Sequence, residues 1–524
     1  MNCYTVFKRT RTHADTLAAI GAAGVLKQLE PRIVEREDRF EIQLQKRLLA
    51  SDLMAVGPGF CYLERPKNSA EKASAAKTAR SRSRSGSRIR GVPCATPSDN
   101  RLYAILARLK AHAGPNRFIS RFARMRQEDW TNSLWNSFQG QHEFVFSSPL
   151  VQLFNPHSAK GYALLKPSGT RRSDKTKNRW AEPFHEWLRF RGYFDGCAGW
   201  FASQDLRLFC PVPADIPYDA FAAIVSSFRE LRLGGTAIKM DCRAVLGLTR
   251  LLVQAAKGYR APRQLLAGVW ITHYKDMGQA HTFISMEQLP IPDWFDLRTP
   301  ADEQLWLRAL DEHEKVVRRL TDSHSDEFVL LKQYRQIFQA RREESVPELV
   351  NFLENYGCLL FRKRAKDQWS LPQFTVASVS AILERDGNLR KILRNPGFQA
   401  VSAAIRSSTV GAQAARHAGK PDHREIRYGL LSEIRRAGVS SRYELLKETF
   451  SFISKFNQEG TERRAAGLRF AHIRSDELEA FRTLVEELPA SVPVASMLCI
   501  ASTCLPGAAN AEEVRPETLQ SVSA

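Results

Sequence analysis

The spacing of apolar positions changes character near residue 295, from mixed helical and alternating patterns to an almost purely helical one. Residues 14–29 place Leu17, Ala18, Gly21, Ala22, Val25, Leu26 and Leu29 on one helical face. The runs IVERED and RFEIQL follow across a charged turn and predict a β-hairpin. Residues 143–154 read as extended, as do GYFDGCAGWF, DLRLFCPVP, AIKMDC, Trp270–Tyr274 and His281–Leu289. Helical spacing marks residues 100–138, 217–232 and 243–257.

Beyond Trp294 the helical pattern takes over, at 300–320, 326–343 and 346–356. From Asn395 onward four apolar stripes predict helices: Phe398, Val401, Ile405 and Val410; Ile426, Leu430 and Ile434; Tyr443, Leu446, Phe450 and Ile453; Leu478, Phe481 and Leu484. The fold class this predicts is α+β, a mixed α/β N-terminal region followed by an all-α C-terminal helical bundle. The expected divisions are a helix-plus-hairpin segment at 1–65, a mixed α/β nucleic-acid-binding region at 99–295, a helical connecting region at 296–394, a bundle at 395–510 and a tail at 511–524. Residues 66–98 are Ser/Arg/Ala-rich with almost no large apolar side chain, and read as a basic linker or insertion.

Charge sharpens this picture. The 524 residues carry 77 Lys plus Arg against 56 Asp plus Glu, a net charge of +21, which favours a polyanionic partner. The cysteines form no CxxC pair and no zinc spacing, as suits a reducing cytoplasm. The first residues hold no apolar signal core, and the apolar run from Ser491 to Pro506 falls short of the roughly 20 residues a bilayer span needs. That run reads as a buried helix, and the expectation is a cytoplasmic protein without a membrane partner.

Catalytic signatures are absent from the sequence. Gly419-Lys420 is followed by Pro421 and cannot be a phosphate-cradling loop; His185-Glu186 and His313-Glu314 lack the second histidine of a zinc protease helix. Asp322, His324, Asp326 and Glu327 are the nearest approach to a metal cluster, but they lie between two predicted helices and read as capping residues. No catalytic residue, metal or cofactor is therefore expected.

The segment from Asn155 to Phe201 is instead basic and aromatic. Arg171, Arg172, Lys175, Lys177, Arg179, Arg189 and Arg191 sit among Trp180, Phe184, Trp187, Phe190, Tyr193, Phe194, Trp200 and Phe201. Cations neutralise phosphates and flat rings stack on bases, so these cations are candidate backbone contacts, with an exposed solvated loop as the other reading. Trp180, Trp187 and Trp200 are expected in the core. Asn155, Ser158, Lys160 and Gly161 offer amide, hydroxyl and ammonium groups on a compact loop, which reads either as a groove-entering duplex reader or as a structural turn. In the C-terminal bundle Arg406, Arg424, Arg427, Arg435 and Arg436 lie between the apolar stripes and are further candidate backbone contacts.

In layout and phrasing the chain resembles the large subunit of type I CRISPR interference complexes (Cascade). The resemblance lies in THADTLAAIGAAGVLKQLEPRIVEREDRFEIQL, in LVQLFNPHSAKGYALLKPSGTRRSDKTKNRWAEPFHEWLRFRGYF and in NPGFQAVSAAIRSSTVGAQAARHAGKPDHREIRYGLLSEIRRA, in that order. It implies a non-catalytic subunit that binds guide RNA and target double-stranded DNA and recognises the protospacer-adjacent motif. It also implies help with R-loop formation and recruitment of a helicase-nuclease or of transposition proteins. The implied companions are backbone, handle-binding and small subunits, and the implied setting is antiviral defence. Two other readings stay open: a free-standing sequence-specific DNA-binding or regulatory protein, and a metal-dependent nuclease without a recognisable motif.

Overall fold

The computed structural model describes residues 2–54, 56, 102, 105, 125–140, 153–154, 183–202, 205–255, 261–276, 281–295, 297, 299–323, 325–340, 344–419, 425–465 and 470–506. The chain forms two compact units, Met1–Ile291 and Pro292–Ala524. The first is α+β and the second helical, with the change of character at the point where the apolar pattern changes.

In the first unit, strand β1 (Cys3–Phe7) precedes helix α1 (His13–Val25), and the predicted hairpin follows as β2 (Arg32–Glu35) and β3 (Arg39–Gln43). Thr12 caps α1, its hydroxyl accepting from the Ala14 amide at 3.2 Å. All of α1 is buried, because its small apolar residues let other elements close around every face. The first sheet runs β1-β3-β2-β6, all antiparallel, with β6 at Asp215–Pro217. Tyr4, Val6, Ile33, Phe40, Ile42 and Ile216 alternate onto its buried face. Because β2 pairs with β6, the segment expected at 1–65 is part of one unit with the region expected at 99–295.

The second sheet runs β4-β5-β7-β8, antiparallel throughout: β4 is Ala198–Ala202, β5 Asp205–Pro213, β7 Leu266–Asp276 and β8 His281–Pro290. One face meets α1, where the Trp270 indole donates to Thr16 Oγ1 at 3.2 Å. On the other face Trp200 and Phe209 pack edge-on against Phe228 of the helix Tyr218–Arg229. Helix α2 (Gln127–Phe138) sets Phe138 edge-on to Tyr4 of β1 at 4.8 Å.

Two sequence expectations need correction here. GYFDGCAGWF is not one strand: helix α3 (Pro183–Gly196) takes its first half, and β4 begins only at Ala198. Helix α3 crosses α1 at Gly21 and Gly192, where a Cβ would collide with the carbonyls of Leu188 and Leu17. Gly192 therefore serves a close helix crossing and does not end the helix. AIKMDC is the opening of the helix Ala237–Ala255. Within it Asp241 is buried beside Met240 and Cys242, so a six-residue window of mixed polar and apolar positions does not show the period that the full helix carries.

The second unit opens with α4 (Pro300–Arg319), whose Thr299 and Asp302 form a capping box. It continues with α5 (Asp326–Gln339) and α6 (Ser345–Ala365). After the short helices Val376–Leu383 and Gly387–Arg394 come α7 (Pro396–Ser408), α8 (Val410–His417), α9 (Leu430–Ser440), α10 (Arg442–Ala465), α11 (Ser475–Glu487) and α12 (Val492–Thr503). Helix α12 is the hub: it is buried from Val494 to Thr503, and α6, α7 and α9 pack on it. Gly357 of α6 faces Thr503, and Gly438 of α9 faces Ala495. The regions expected separately at 296–394 and 395–510 thus share one core. Of the stripe expected at Tyr443, Leu446, Phe450 and Ile453, Ile453 is buried and Leu446 and Phe450 are half-buried, but Tyr443 is 71% exposed; Leu445, Thr449, Phe452 and Phe456 complete the buried face of α10.

Candidate nucleic-acid interface

Helix α3 carries the described end of the basic-aromatic segment, and most of its rings belong to the core. Trp187 is buried edge-on to Trp130 of α2 at 5.2 Å, and Phe184 meets Phe138 at 5.2 Å. Phe154, fully buried, packs on Phe190 and Tyr193. The Leu153 carbonyl accepts from His13 Nε2 at 2.8 Å, while Thr272 Oγ1 lies 3.2 Å from His13 Nδ1. Burial holds the His13 imidazole down to about 4, so it is neutral.

Arg189 does not lie on an exposed loop. It is buried in α3, with Nη1 donating to Glu186 at 2.7 Å one helical turn earlier. A guanidinium in that position balances a buried carboxylate; it cannot meet a phosphate without breaking the pair. Arg191 is half-buried, its Nε enclosed without a hydrogen-bond partner. Its charge lies near Tyr218, whose phenol is pushed up by burial and by the Asp195 carboxylate. Asn155, Ser158, Lys160, Gly161, Arg171, Arg172, Lys175, Lys177, Arg179 and Trp180 lie outside the described residues.

The C-terminal candidates divide by use. Half-buried Arg406 donates from Nη2 and Nε to the Ala501 carbonyl, at 2.7 and 3.2 Å, in the last turn of α12. Arg427 pairs with Glu459 at 2.6 Å and lies over the Phe452 ring. Arg435 pairs with buried Glu354 at 2.8 Å and donates to Asn355. All three are engaged with other elements of the helical unit, and the Arg435 side chain still keeps 44% of its surface exposed. Arg436 is exposed on α9, with no ion pair among the described residues. Arg424 lies outside the described residues.

No family model matches the chain, and no curated protein matches it. Its chemistry therefore rests on its own residues.

Sequence reasoning missed a polar seam joining α5, α6, α9 and α12. Asn355 donates to Asn351 at 3.0 Å and to Gln333 at 3.4 Å, and Ser496 donates to the Glu354 carboxylate at 2.9 Å. The i, i+4 spacing of Asn351 and Asn355 was the available signal, but the other partners of Asn355 come from α5 and α9, and the partner of Glu354 from α12. Of the acidic group near 322–327, Glu327 is buried and spent on structure. It accepts from the Thr321 amide at 2.5 Å and pairs with Lys363. Burial opposes its charge, but Lys363 and Thr321 outweigh that and hold the carboxyl below its ordinary range. Among the described residues no group of three His, Cys, Asp or Glu side chains could hold a metal, and no helix is long and apolar enough to cross a membrane.

Proposed function

We propose that the chain is the non-catalytic large subunit of a guide-RNA-directed complex of the type I Cascade class. In that role it binds target DNA, reads the protospacer-adjacent motif, helps R-loop formation and recruits the downstream helicase-nuclease or transposition proteins. The observation that carries this reading is the placement of charge. Residues 155–182 hold Lys160, Lys166, Arg171, Arg172, Lys175, Lys177 and Arg179 against Asp174 and Glu182 alone. The chain on either side of them is anchored in a core, by buried Phe154 before and by α3 after. A run this rich in cations suits a phosphate backbone. In such a complex base pairing supplies sequence discrimination, and the protein supplies phosphate contacts and a short-motif reader.

The test is a tagged pull-down of this chain expressed with its native gene neighbours, with sequencing of the co-purifying RNA. Repeat-derived guide RNA and a ladder of companion proteins are expected. A lone chain without guide RNA overturns the proposal in favour of a free-standing DNA-binding protein. Divalent-metal-dependent DNA cleavage by the purified chain overturns its non-catalytic part.

A further inference from the structure

A ring stack stands on the surface of the helical unit where α6 and α8 end. Trp369 and His417 lie face to face, centroids 4.1 Å apart and planes 22° apart. The Arg364 guanidinium sits over the Trp369 ring at 4.6 Å. One carboxylate aligns both rings: Asp367 Oδ1 accepts from the Trp369 indole at 2.8 Å and lies 3.6 Å from His417 Nδ1. Asp367 does this from a left-handed backbone, φ 56°, which costs a non-glycine residue about 1 kcal/mol or more. The stack is also tied to the hub. Gln373 accepts from Arg364 Nη2 at 2.8 Å, and its own amide donates to the Thr503 carbonyl of α12 at 2.8 Å.

For stability alone this arrangement is costly. Arg364 Nε and Nη1 are enclosed with no hydrogen-bond partner, and the far end of the stack buries little: His417 keeps 54% of its side chain exposed. A rigid ring stacked by one face and open to solvent is what a base needs as a platform, and every base has a face to offer it. Lys366, exposed and next in sequence to Asp367, adds a cation beside that carboxylate.

We propose that Arg364, Trp369 and His417 form a stacking subsite for one unpaired base of a single-stranded nucleic acid, with Lys366 meeting a neighbouring phosphate. The subsite rests on the reading of the chain as a nucleic-acid-binding subunit and adds where an unpaired strand is gripped. His417 is the terminal ring and Trp369 the ring that positions it.

The experiment is fluorescence anisotropy of the full chain with three labelled oligomers of equal length: oligothymidylate, oligouridylate and an abasic deoxyribose oligomer carrying the same phosphates. The His417→Ala variant should bind both base-bearing oligomers about 5- to 100-fold more weakly and leave the abasic oligomer and the salt slope unchanged. His417→Phe should restore binding. The stronger of the two base-bearing oligomers in the wild type identifies DNA or RNA as the natural strand. His417→Ala binding as tightly as wild type, or losing the abasic oligomer equally, overturns the subsite. Wild type that co-purifies with guide RNA yet binds none of the oligomers also overturns the subsite and leaves the proposed function standing. Base-dependent binding without guide RNA keeps the subsite and overturns only membership of a guide-RNA complex.

Discussion

Gly192 and Gly21 let two buried helices touch backbone to backbone, and no other residue type fits there. A Cβ on Gly192 would collide with the Leu17 carbonyl, and one on Gly21 with that of Leu188. Both neighbours are backbone of core helices and cannot swing aside as a flexible side chain can. Gly192→Ala should therefore destabilise the first unit by about 1–3 kcal/mol, the usual range for an overpacked core. Urea denaturation followed by circular dichroism reads this; a variant as stable as wild type would show that α1 and α3 can slide apart at little cost. Helix propensity alone predicts the opposite sign, since alanine favours a helix over glycine by roughly 1 kcal/mol, so the experiment separates tertiary from local control.

Arginines of one bundle separate by what their helices offer them. Arg406 reaches the Ala501 carbonyl near the C-terminal end of α12, where unsatisfied carbonyls and the helix dipole favour a cation. Arg427 joins the start of α9 to Glu459 of α10. Arg436, one helical face away from the core, is exposed. Arg406→Ala should cost stability, about 1–3 kcal/mol for a charged hydrogen bond lost from a half-buried site, with nucleic-acid affinity following only the folded fraction. Arg436→Glu should leave the denaturation midpoint within about 0.5 kcal/mol and weaken duplex DNA binding with a shallower salt dependence. Denaturation and salt-titrated binding of the two variants check both halves. Equal loss of binding by both folded variants would contradict the division. The sequence placed all of these residues between apolar stripes, which is where they are. It could not say which of them find a carbonyl or a carboxylate, because those partners are 32 to 95 residues away along the chain.

At the scale of the molecule, each unit buries a neutral histidine. Burial holds both His13 and His313 down to about 4, against an unfolded value near 6.5. Between those values the unfolded chain binds a proton that the folded chain does not, so stability falls as pH falls, by up to about 1.4 kcal/mol per pH unit per histidine. In the first unit Asp15 works the other way: burial raises its carboxyl, the folded state takes up its proton first, and acid relieves that penalty. The second unit gives the simpler test. Going from pH 6.5 to pH 5 should cost it about 1.6 kcal/mol through His313. His313→Gln should abolish that part of the pH dependence while disturbing the 2.9 Å contact with the Tyr334 hydroxyl. Urea midpoints at the two pH values measure it; an unchanged pH dependence in the variant would show that His313 does not titrate on unfolding.

By itself the sequence determined the class of fold and where it changes. Apolar spacing reports which face of an element is buried, and near Trp294 that spacing passes from mixed to helical, as the two units do. It also determined the net charge of +21, which is a property of composition. Tertiary structure alone decided which cations are free. Arg189 and Arg436 look alike in sequence, yet one meets Glu186 in a closed core and the other faces solvent. It also decided that AIKMDC and GYFDG are helical: Asp241 is buried in the one helix and most of α3 is buried around the other, so a short window of either shows no clear helical period. The Trp369–His417 stack was equally hidden. It joins rings from the ends of two helices, and only folding brings them within 4.1 Å.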